Sequence, residues 1–429
     1  MGRHTSMNRE EVLRFIQETS WKGSRLGLAR MQELMRRLGD PQKMLSFVHV
    51  TGTNGKGSCS VMLSTILTAA GYRTGLYTSP HLCTYNERIK INGTDISDEA
   101  MGRASEAVRD ALQGMKDLPT EFERITAMAL WYFAEQQCDI VVLEVGLGGR
   151  LDATNIIEAP ELAVITNLGL DHTELLGDTI EAIAFEKAGI IKPGCEVLLY
   201  QQSEEAEAVV QKKCSTLGCP LTVTDALQEQ LLSCNLSGQY LNYRARENVF
   251  LRLIGTYQYK NAALVLDAVD VLKHRGWYIP EDAVYQGMAS AVWPARFEVL
   301  QKKPLIILDG AHNPNGFTEL ATCLAQYLPG RKMTFVMGVM ADKGYEEMLS
   351  LIQPFAARLI AVRPEYYRAL SSEALAEAAR EHLEIPVQDG GTVSNGIALA
   401  QSMAKEDDVI CICGSLYQAG EARACFNLI

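Results

Sequence analysis

The sequence predicts an α/β protein with two domains, each built on a mostly parallel β-sheet. Two observations indicate this fold class. Short apolar runs rich in β-branched residues, such as "SFVHVT" and "DIVVLE", alternate along the chain with longer segments of helical periodicity. These runs are apolar at nearly every position, which is typical of strands whose two faces are both covered by helices.

The first domain is predicted to span residues 1–294. Amphipathic helices over Glu10–Thr19 and Leu26–Leu38 come first. Strands and helices then follow over the segments "MLSFVHVTG", "TEFERITAMALWYFAEQQ", "DIVVLEVG", "ELAVITNLGLDH", "DTIEAIAFEKAGII", "YKNAALVLDAVDVLKH" and "EDAVYQGMAS". Between Cys195 and about Leu253 the segments are shorter and more polar, which indicates a small appended sheet.

A second, smaller domain is predicted over residues 295–429. Pro294 and Pro304 bracket a break in the pattern, and we expect a hinge around Trp293 to Arg296. Beyond it, "LIILDGAHN", "KMTFVMGVM", "RLIAVRP" and "DDVICICGS" are predicted strands with helices between them. The second domain is therefore expected to have an α/β sheet of its own.

Composition restricts the classes of partner. The 429-residue chain carries a formal net charge of −12, which argues against nonspecific binding to nucleic acid or to anionic membranes. Its longest uncharged stretch, Gly57–Tyr72, contains serines and threonines throughout and predicts a buried helix rather than a membrane span. Eleven scattered cysteines, an odd total, predict reduced thiols in a cytosolic protein.

The motif "VTGTNGKGS" differs from the usual phosphate-loop pattern G-x-x-x-x-G-K-[ST] at Val50 and Gly57. The physical parts of a phosphate site are still present, because a strand leads through a glycine turn to a helix N-terminus at about Ser58. Lys56 offers a cation to β- and γ-phosphates, and the Ser58 hydroxyl can reach Mg²⁺. A simple tight turn is the alternative, but the coincidence of these features favours phosphate binding.

Polar residues at four other places have no functional role that the residues alone establish. Glu144 ends a buried strand, where it could hold a metal–nucleotide complex or form a buried ion pair. His172, in "LGLDH", is more typical of a hydrogen-bonded structural residue than of a magnesium ligand, since Mg²⁺ prefers oxygen ligands. Lys187 is interpreted as a solvated helix charge, and "LDGAHNPNG" as either a ligand loop or a well-capped turn.

Taken together, the motifs resemble those of the bacterial folylpolyglutamate synthases. The segments that carry the resemblance run in the family's order from about Leu26 to the C-terminus: "TGTNGKGS", "TSPHLCTYNERIKING", "LEVGLGGRLDATN", "ITNLGLDHTELLG", "AFEKAGIIKPG", "WPARFE", "LDGAHNP", "GVMADKG" and "CGSL". That family includes bifunctional dihydrofolate synthases and is related to the Mur peptidoglycan ligases. The resemblance implies a P-loop NTPase-like first domain and a Rossmann-like second domain.

The resemblance also implies an activity. A folate or dihydropteroate carboxylate would attack the γ-phosphate of ATP, and the amino group of L-glutamate would then displace phosphate from the acyl phosphate. ATP, two Mg²⁺ ions and a carbamylated lysine at Lys187 are implied as cofactors, and we expect a monomer. One motif departs from the family, because Gly344 follows Lys343 where an acidic residue is expected.

The resemblance assigns roles to individual residues. Catalytic roles fall on Lys56, Glu144, His172 and Lys187. Magnesium would be held by Ser58, Glu144, His172 and, if carbamylated, Lys187. Nucleotide contacts fall on Gly52, Thr53, Asn54, Gly55, Lys56, Gly57, Ser58, Asn261, Arg296 and Asp309. Substrate contacts fall on Ser79 and its loop to Tyr85, on Asp152, Ala153 and Thr154 near the pterin, and on His312 and Ser415 near the glutamate.

Two alternatives differ in what they need from the chain. A Mur-type ligase acting on another carboxylate would carry an extra N-terminal domain for a UDP-sugar, whereas the glycine loop begins here at Gly52. A nucleotide kinase or plain ATPase would not need the second α/β unit or its "DGAHN" loop. We therefore expect the folate ligase.

Overall fold

The computed structural model describes residues 7–19 and 25–428. Its described residues form two compact units. The first takes those within Met1–Gln230, Asn242–Phe250 and Lys260–Ala291, and the second those within Leu231–Leu241, Leu251–Tyr259 and Val292–Ile429. The domain limit at residue 294 stays a prediction.

The first unit contains an eight-stranded sheet covered by helices. Its strands are β1 (Ser46–Thr51), β2 (Thr74–Tyr77), β3 (Ile89–Ile91), β4 (Thr94–Asp95), β5 (Ile140–Glu144), β6 (Leu162–Ile165), β7 (Glu196–Tyr200) and β8 (Leu221–Thr224). They lie in the order β4-β3-β2-β5-β1-β6-β7-β8. Six neighbouring strands, β2, β5, β1, β6, β7 and β8, are parallel. At the β2 edge, β3 and β4 continue the sheet with antiparallel pairing.

Helices follow most of these strands. They are α1 (Arg9–Gln17), α2 (Ala29–Arg37), α3 (Lys56–Ala69), α4 (Asp98–Ala111), α5 (Glu121–Glu135), α6 (Thr173–Leu176), α7 (Ile180–Lys187), α8 (Glu204–Leu217), α9 (Gln258–His274) and α10 (Glu281–Ser290). One apolar cluster joins α1, α2, α4 and α5 to the sheet, and another joins α7 and α8 to β6 and β7. The sheet is therefore buried, as its continuous apolar strands predict.

The predicted appended sheet is present but begins later than Cys195. It has three strands in the order β11-β10-β9, namely β9 (Glu229–Asn235), β10 (Gly238–Tyr243) and β11 (Arg246–Leu251). The stretch from 196 to 224 instead supplies β7 and β8 of the large sheet, with α8 between them. Its polar character comes from α8, whose first turn carries three glutamates, and not from hairpins.

The second unit has a six-stranded sheet in the order β12-β13-β17-β14-β15-β16, with only β12 antiparallel to its neighbour. The strands are β12 (Glu298–Lys302), β13 (Leu305–Leu308), β14 (Met333–Met337), β15 (Ala356–Arg363), β16 (Val387–Thr392) and β17 (Val409–Cys413). The helices are α11 (Pro314–Tyr327), α12 (Tyr345–Ile352), α13 (Ser372–His382), α14 (Val393–Met403) and α15 (Leu416–Cys425). Both edge strands, β12 and β16, were missed by the sequence prediction because they lack a buried apolar run.

Two chemical expectations can be compared with the structure. All eleven cysteines are free. In the described part of the chain, no helix is both long and apolar enough to cross a membrane.

Candidate active site

The glycine loop joins the central strand β1 to α3. The helix begins at Lys56, two residues earlier than predicted, and Gly55 precedes it with φ of 89°. Gly52 has φ of 151°, and a Cβ there would lie 1.8 Å from the Thr166 hydroxyl oxygen. A Cβ on Gly55 would lie 2.6 Å from Asn261 Oδ1. Both positions require glycine, because backbone conformation and neighbouring atoms exclude a side chain.

The loop is held from the side by the residues that follow β6. The Thr166 hydroxyl donates to the Asn54 carbonyl at 2.7 Å, and the Thr53 amide donates to the Asn167 carbonyl at 2.8 Å. The Thr53 hydroxyl donates to the Gly169 carbonyl at 2.9 Å. Sequence reasoning missed Thr166; the available signal was its position at the carboxyl end of a strand parallel to β1, where both strand ends meet.

Two lysine ammonium groups converge on the first glycine of the loop. Lys56 Nζ donates to the Gly52 carbonyl at 2.9 Å and to the Thr53 carbonyl at 3.0 Å. Lys187 Nζ donates to the same Gly52 carbonyl at 2.8 Å. Lys187 is only 4% exposed, so its interpretation as a solvated helix charge was wrong. Burial, followed by the charge of Lys56, lowers the pKa of Lys187 to about 7.

These groups line one cavity of about 40 Å³ at the carboxyl end of the sheet. The lining residues are Gly52, Thr53, Lys56, Val145, Gly146, Leu147, Gly148, Asp171, His172, Leu176 and Lys187. His172 has φ of 49° and a side chain that is 57% exposed. The structure therefore brings together five of the predicted site residues, namely Gly52, Thr53, Lys56, His172 and Lys187.

Glu144 and Ser58 lie near the same end of the sheet but do not line this cavity. Glu144 ends β5, pairs in register with Val50 of β1, and is 3% exposed. Its carboxylate accepts a hydrogen bond from the Ser79 amide at 3.0 Å. Among the described residues, no three His, Cys, Asp or Glu side chains are grouped to hold a metal.

The segment after β5 is organised by Asp152. One carboxylate oxygen accepts from the Thr154 amide at 2.9 Å and from its hydroxyl at 2.5 Å, and the other accepts from the Leu147 amide at 2.9 Å. Burial raises the pKa of Asp152, while these hydrogen bonds act in the opposite direction. Asp152, Ala153 and Thr154 are all buried. The Asp152 carboxylate therefore shapes its own loop.

The loop that begins at Ser79 has a compact interior. Glu87 accepts hydrogen bonds from the amides of Leu82, Cys83 and Thr84. The rings of His81 and Tyr85 lie with centroids 4.3 Å apart. Burial lowers the pKa of His81 to about 3, so the ring is neutral.

In the second unit, Asp309 ties together the two turns that carry the predicted residues. Its carboxylate accepts from the amides of Phe297 and Ala311, each at 2.8 Å, and burial raises its pKa. Ala295 and Phe297 have φ of 54° and 46°, so Arg296 lies between two strained residues. Such strain persists only where the surroundings enforce it, and Asp309 is one of the groups that do so.

His312 and Ser415 also lie in the second unit. His312 Nδ1 is 2.9 Å from the Gly310 carbonyl, which makes Nδ1 the donor and identifies the tautomer. The Ser415 hydroxyl caps α15 by accepting from the Tyr417 amide at 3.1 Å. The "LDGAHNPNG" turn is well capped too, since Asn313 Oδ1 accepts from the Gly316 amide at 2.8 Å.

Family models match both units. The model described as Mur ligase middle domain matches residues 50–269, and the Mur ligase, glutamate ligase domain matches residues 295–416. Between them they include every predicted site residue, from the glycine loop to Ser415.

Relatives and solved structures match nearly the full length. The chain is 36% identical to the dihydrofolate synthase/folylpolyglutamate synthase of Bacillus subtilis, over 94% of this chain and 95% of that one. It is 39% identical to the folylpolyglutamate synthase of Lacticaseibacillus casei, over 92% and 93%. The structure of Mycobacterium tuberculosis folylpolyglutamate synthase complexed with ADP and AMPPCP superposes with a TM-score of 0.86 at 31% identity, covering 97% of this chain and 99% of that one.

Proposed function

The chain belongs to the folylpolyglutamate synthase family of ATP-dependent amide ligases, and we propose that it adds L-glutamate both to folates and to dihydropteroate. The observation that carries this proposal is the cavity where the glycine loop, Lys56 and Lys187 meet. Backbone amides, a helix N-terminus and an ammonium group together suit a polyphosphate.

In the first step, a carboxylate oxygen of the folate attacks the γ-phosphorus of ATP. A P–O bond to the carboxylate forms, the bond to the β-phosphate oxygen breaks, and ADP leaves. Lys56 offsets the negative charge on the transferred group, and residues 52–58 hold the β-phosphate in line. Phosphoryl transfer needs positioning and charge stabilisation more than covalent help from the protein.

In the second step, the amino group of glutamate attacks the acyl carbon. A C–N bond forms, the bond between the acyl carbon and the phosphate oxygen breaks, and inorganic phosphate leaves with that oxygen, while the proton lost by the amine passes to water. We assign the incoming glutamate to His312 and Ser415, the nucleotide also to Asn54, Asn261, Arg296 and Asp309, and the pterin end to Ser79 and the Asp152–Thr154 segment. His312 donates from Nδ1 to the Gly310 carbonyl, which fixes the orientation of its ring.

The residues present fit magnesium. Mg²⁺ in nucleotide sites is held by one or two protein oxygens together with phosphate oxygens, and Ser58 and Glu144 offer a hydroxyl and a buried carboxylate. Bound magnesium neutralises phosphate charge. Ser58 and Glu144 would hold it, with His172 contributing from the cavity wall. The small number of protein ligands explains why these residues alone form no metal cluster.

Carbamylation of Lys187 is the most detailed part of the proposal. Its pKa of about 7 leaves a large neutral fraction near neutral pH, and a neutral amine attacks CO₂ to form an N–C bond with loss of one proton. Carbon-13 NMR in ¹³C-bicarbonate should show a carbamate signal that disappears in Lys187→Met. An active preparation that has an unmodified Lys187 and lacks this signal would remove carbamylation from the proposal.

The proposal as a whole is tested with radiolabelled glutamate and ATP. Dihydropteroate and tetrahydrofolate are offered separately, and glutamate incorporation and phosphate release are measured together. We expect both acceptors to be extended, with one phosphate released per glutamate. Incorporation into tetrahydrofolate alone would restrict the activity to folylpolyglutamate synthesis. ATP hydrolysis without incorporation into either acceptor would instead support a plain ATPase.

A further inference from the structure

His49 lies inside the first unit and has no part in the mechanism above. It sits in β1, three residues before Gly52, and is fully buried. Its Nε2 is 2.9 Å from the Thr154 hydroxyl oxygen. Thr51, two residues further on, points to the same face of the strand and donates from its hydroxyl to the Gly148 carbonyl at 2.6 Å. Hydrogen bonds from two side chains of β1, His49 and Thr51, thus hold the segment Gly148–Thr154 against that strand.

The direction of the hydrogen bonds follows from counting protons. The Thr154 hydroxyl has one hydrogen, which it donates to Asp152 Oδ1 at 2.5 Å. The Thr154 oxygen must therefore accept from His49, which makes Nε2 the protonated nitrogen. His49 Nδ1 is then a buried acceptor, and it has no hydrogen-bond partner within the described part of the chain.

The imidazole keeps this single form over the working pH range. Burial, followed by the charge of Lys192, lowers the pKa of His49 to about 3. Lys192 reinforces the same region, because its Nζ donates to the carbonyls of Asn155, at 2.9 Å, and Ile157. A neutral ring with a fixed tautomer donates one hydrogen bond in one direction.

We propose that His49 is a positioning residue for the pterin end of the substrate, acting through Thr154 on the Asp152 loop. The inference rests on the proposed function, because the pterin is assigned to Asp152–Thr154. The same strand delivers the phosphate loop from its carboxyl end, so β1 sets the distance between the two substrate-binding segments. Loss of the His49 donor should therefore weaken binding of the pterin substrate without weakening binding of ATP.

The test compares His49→Leu, which lacks a donor, with His49→Gln, whose amide nitrogen replaces Nε2–H. We expect His49→Leu to raise the KM for tetrahydrofolate roughly 3- to 10-fold, as loss of one buried hydrogen bond predicts, with the KM for ATP unchanged. His49→Gln should restore most of the loss. Val48→Ala, at the adjacent buried position on the opposite face, controls for a general loss of stability.

A second variant covers the possibility that His49→Leu does not fold. Thr154→Val removes the same hydrogen bond from its other end, together with the bond from the Thr154 hydroxyl to Asp152, and should raise the tetrahydrofolate KM at least as much as His49→Leu does. If both positions can be combined, the double variant should be no worse than the worse single one. Equal changes in the KM of both substrates, or an unchanged tetrahydrofolate KM in Thr154→Val, would overturn the role. Absence of glutamate addition by the wild type would instead overturn the proposed function.

Discussion

Lys56 and Lys187 donate to one and the same acceptor, the carbonyl oxygen of Gly52, at 2.9 and 2.8 Å. Two ammonium groups gathered at one carbonyl repel each other, and burial together with the charge of Lys56 lowers the pKa of Lys187 to about 7. The cavity they line therefore has a positive character that an anionic phosphate would relieve.

The stability of the ligand-free protein should depend on the titration of Lys187. The folded-state pKa is about 7 and the ordinary value is 10.5, so between these pH values the unfolded chain binds more protons than the folded one. The free energy of unfolding should therefore rise with pH across this window, by at most roughly 1.4 kcal/mol per unit from this group. Urea unfolding of wild type and Lys187→Met in CO₂-free buffer measures it. A difference between the two proteins that does not change with pH would contradict the assignment.

Lys56→Ala should abolish most turnover while the protein stays folded. The substitution removes the charge that stabilises the transferred phosphoryl group, and loss of one such preorganised donor costs roughly 10²–10³-fold in kcat. Glutamate incorporation and circular dichroism measure the two effects. Lys303→Ala, which removes an exposed lysine paired with Glu406, is the control and should retain activity. Substantial activity in a folded Lys56→Ala protein would count against the phosphate role.

Gly52→Ala should lower kcat/KM far more than the control substitution Gly71→Ala does. The new Cβ would lie 1.8 Å from the Thr166 hydroxyl oxygen, so either the loop or the segment that follows β6 must move. Displacement by about 1 Å is expected to reduce kcat/KM roughly 100-fold. Gly71→Ala is a matched control, because Gly71 also has positive φ, at +94°, but has nothing within 4 Å of the new Cβ. The control should lose about 1–2 kcal/mol of stability and keep its KM for ATP.

Asp309→Asn should destabilise the second unit despite being nearly isosteric. Both carboxylate oxygens accept hydrogen bonds from backbone amides. In Asp309→Asn the side-chain NH₂ group replaces one of these oxygens, and because it is itself a donor it cannot accept from the backbone N–H that it meets. One buried amide left unpaired costs roughly 1–3 kcal/mol. Thermal unfolding measures the loss, and a raised KM for ATP should accompany it if Arg296 moves. Glu406→Gln, an exposed substitution in the same unit, should leave both quantities unchanged; equal behaviour of the two variants would refute the role of Asp309.

Much of the fold follows from apolar patterning, and the exceptions have physical causes. Interior strands are recognised from composition alone, because β17 is apolar throughout and β5 is apolar up to its last residue, Glu144. The edge strands β12 and β16 are partly solvated, so their sequences contain no such signal. The start of the small sheet was predicted too early for a related reason. The charged helix α8 lies between β7 and β8, and its polar residues made this part of the large sheet resemble the small one.

The site could be located from sequence more reliably than its electrostatics. Strand, glycine turn and helix predicted the phosphate loop, but Lys187 was interpreted as solvated. Its helical spacing argued otherwise, since Ile183 and Ala184, four and three residues earlier, are buried on the same face of α7. The Gly52 carbonyl that accepts from Lys187 is 135 positions away in the chain, and no local pattern reports such a contact.

The position of β1 in the sheet has a consequence for the order of assembly. Its two neighbours in the sheet are β5, at residues 140–144, and β6, at residues 162–165. Both therefore lie about ninety or more residues after β1 in the chain and are synthesised later. A ribosome must therefore synthesise well beyond the glycine loop before that loop has strands on either side, and Lys187 emerges later still. Non-local pairing of this kind is slow to form. Nascent chains that end before β6 should thus have no competent phosphate site, although they already contain all of "VTGTNGKGS".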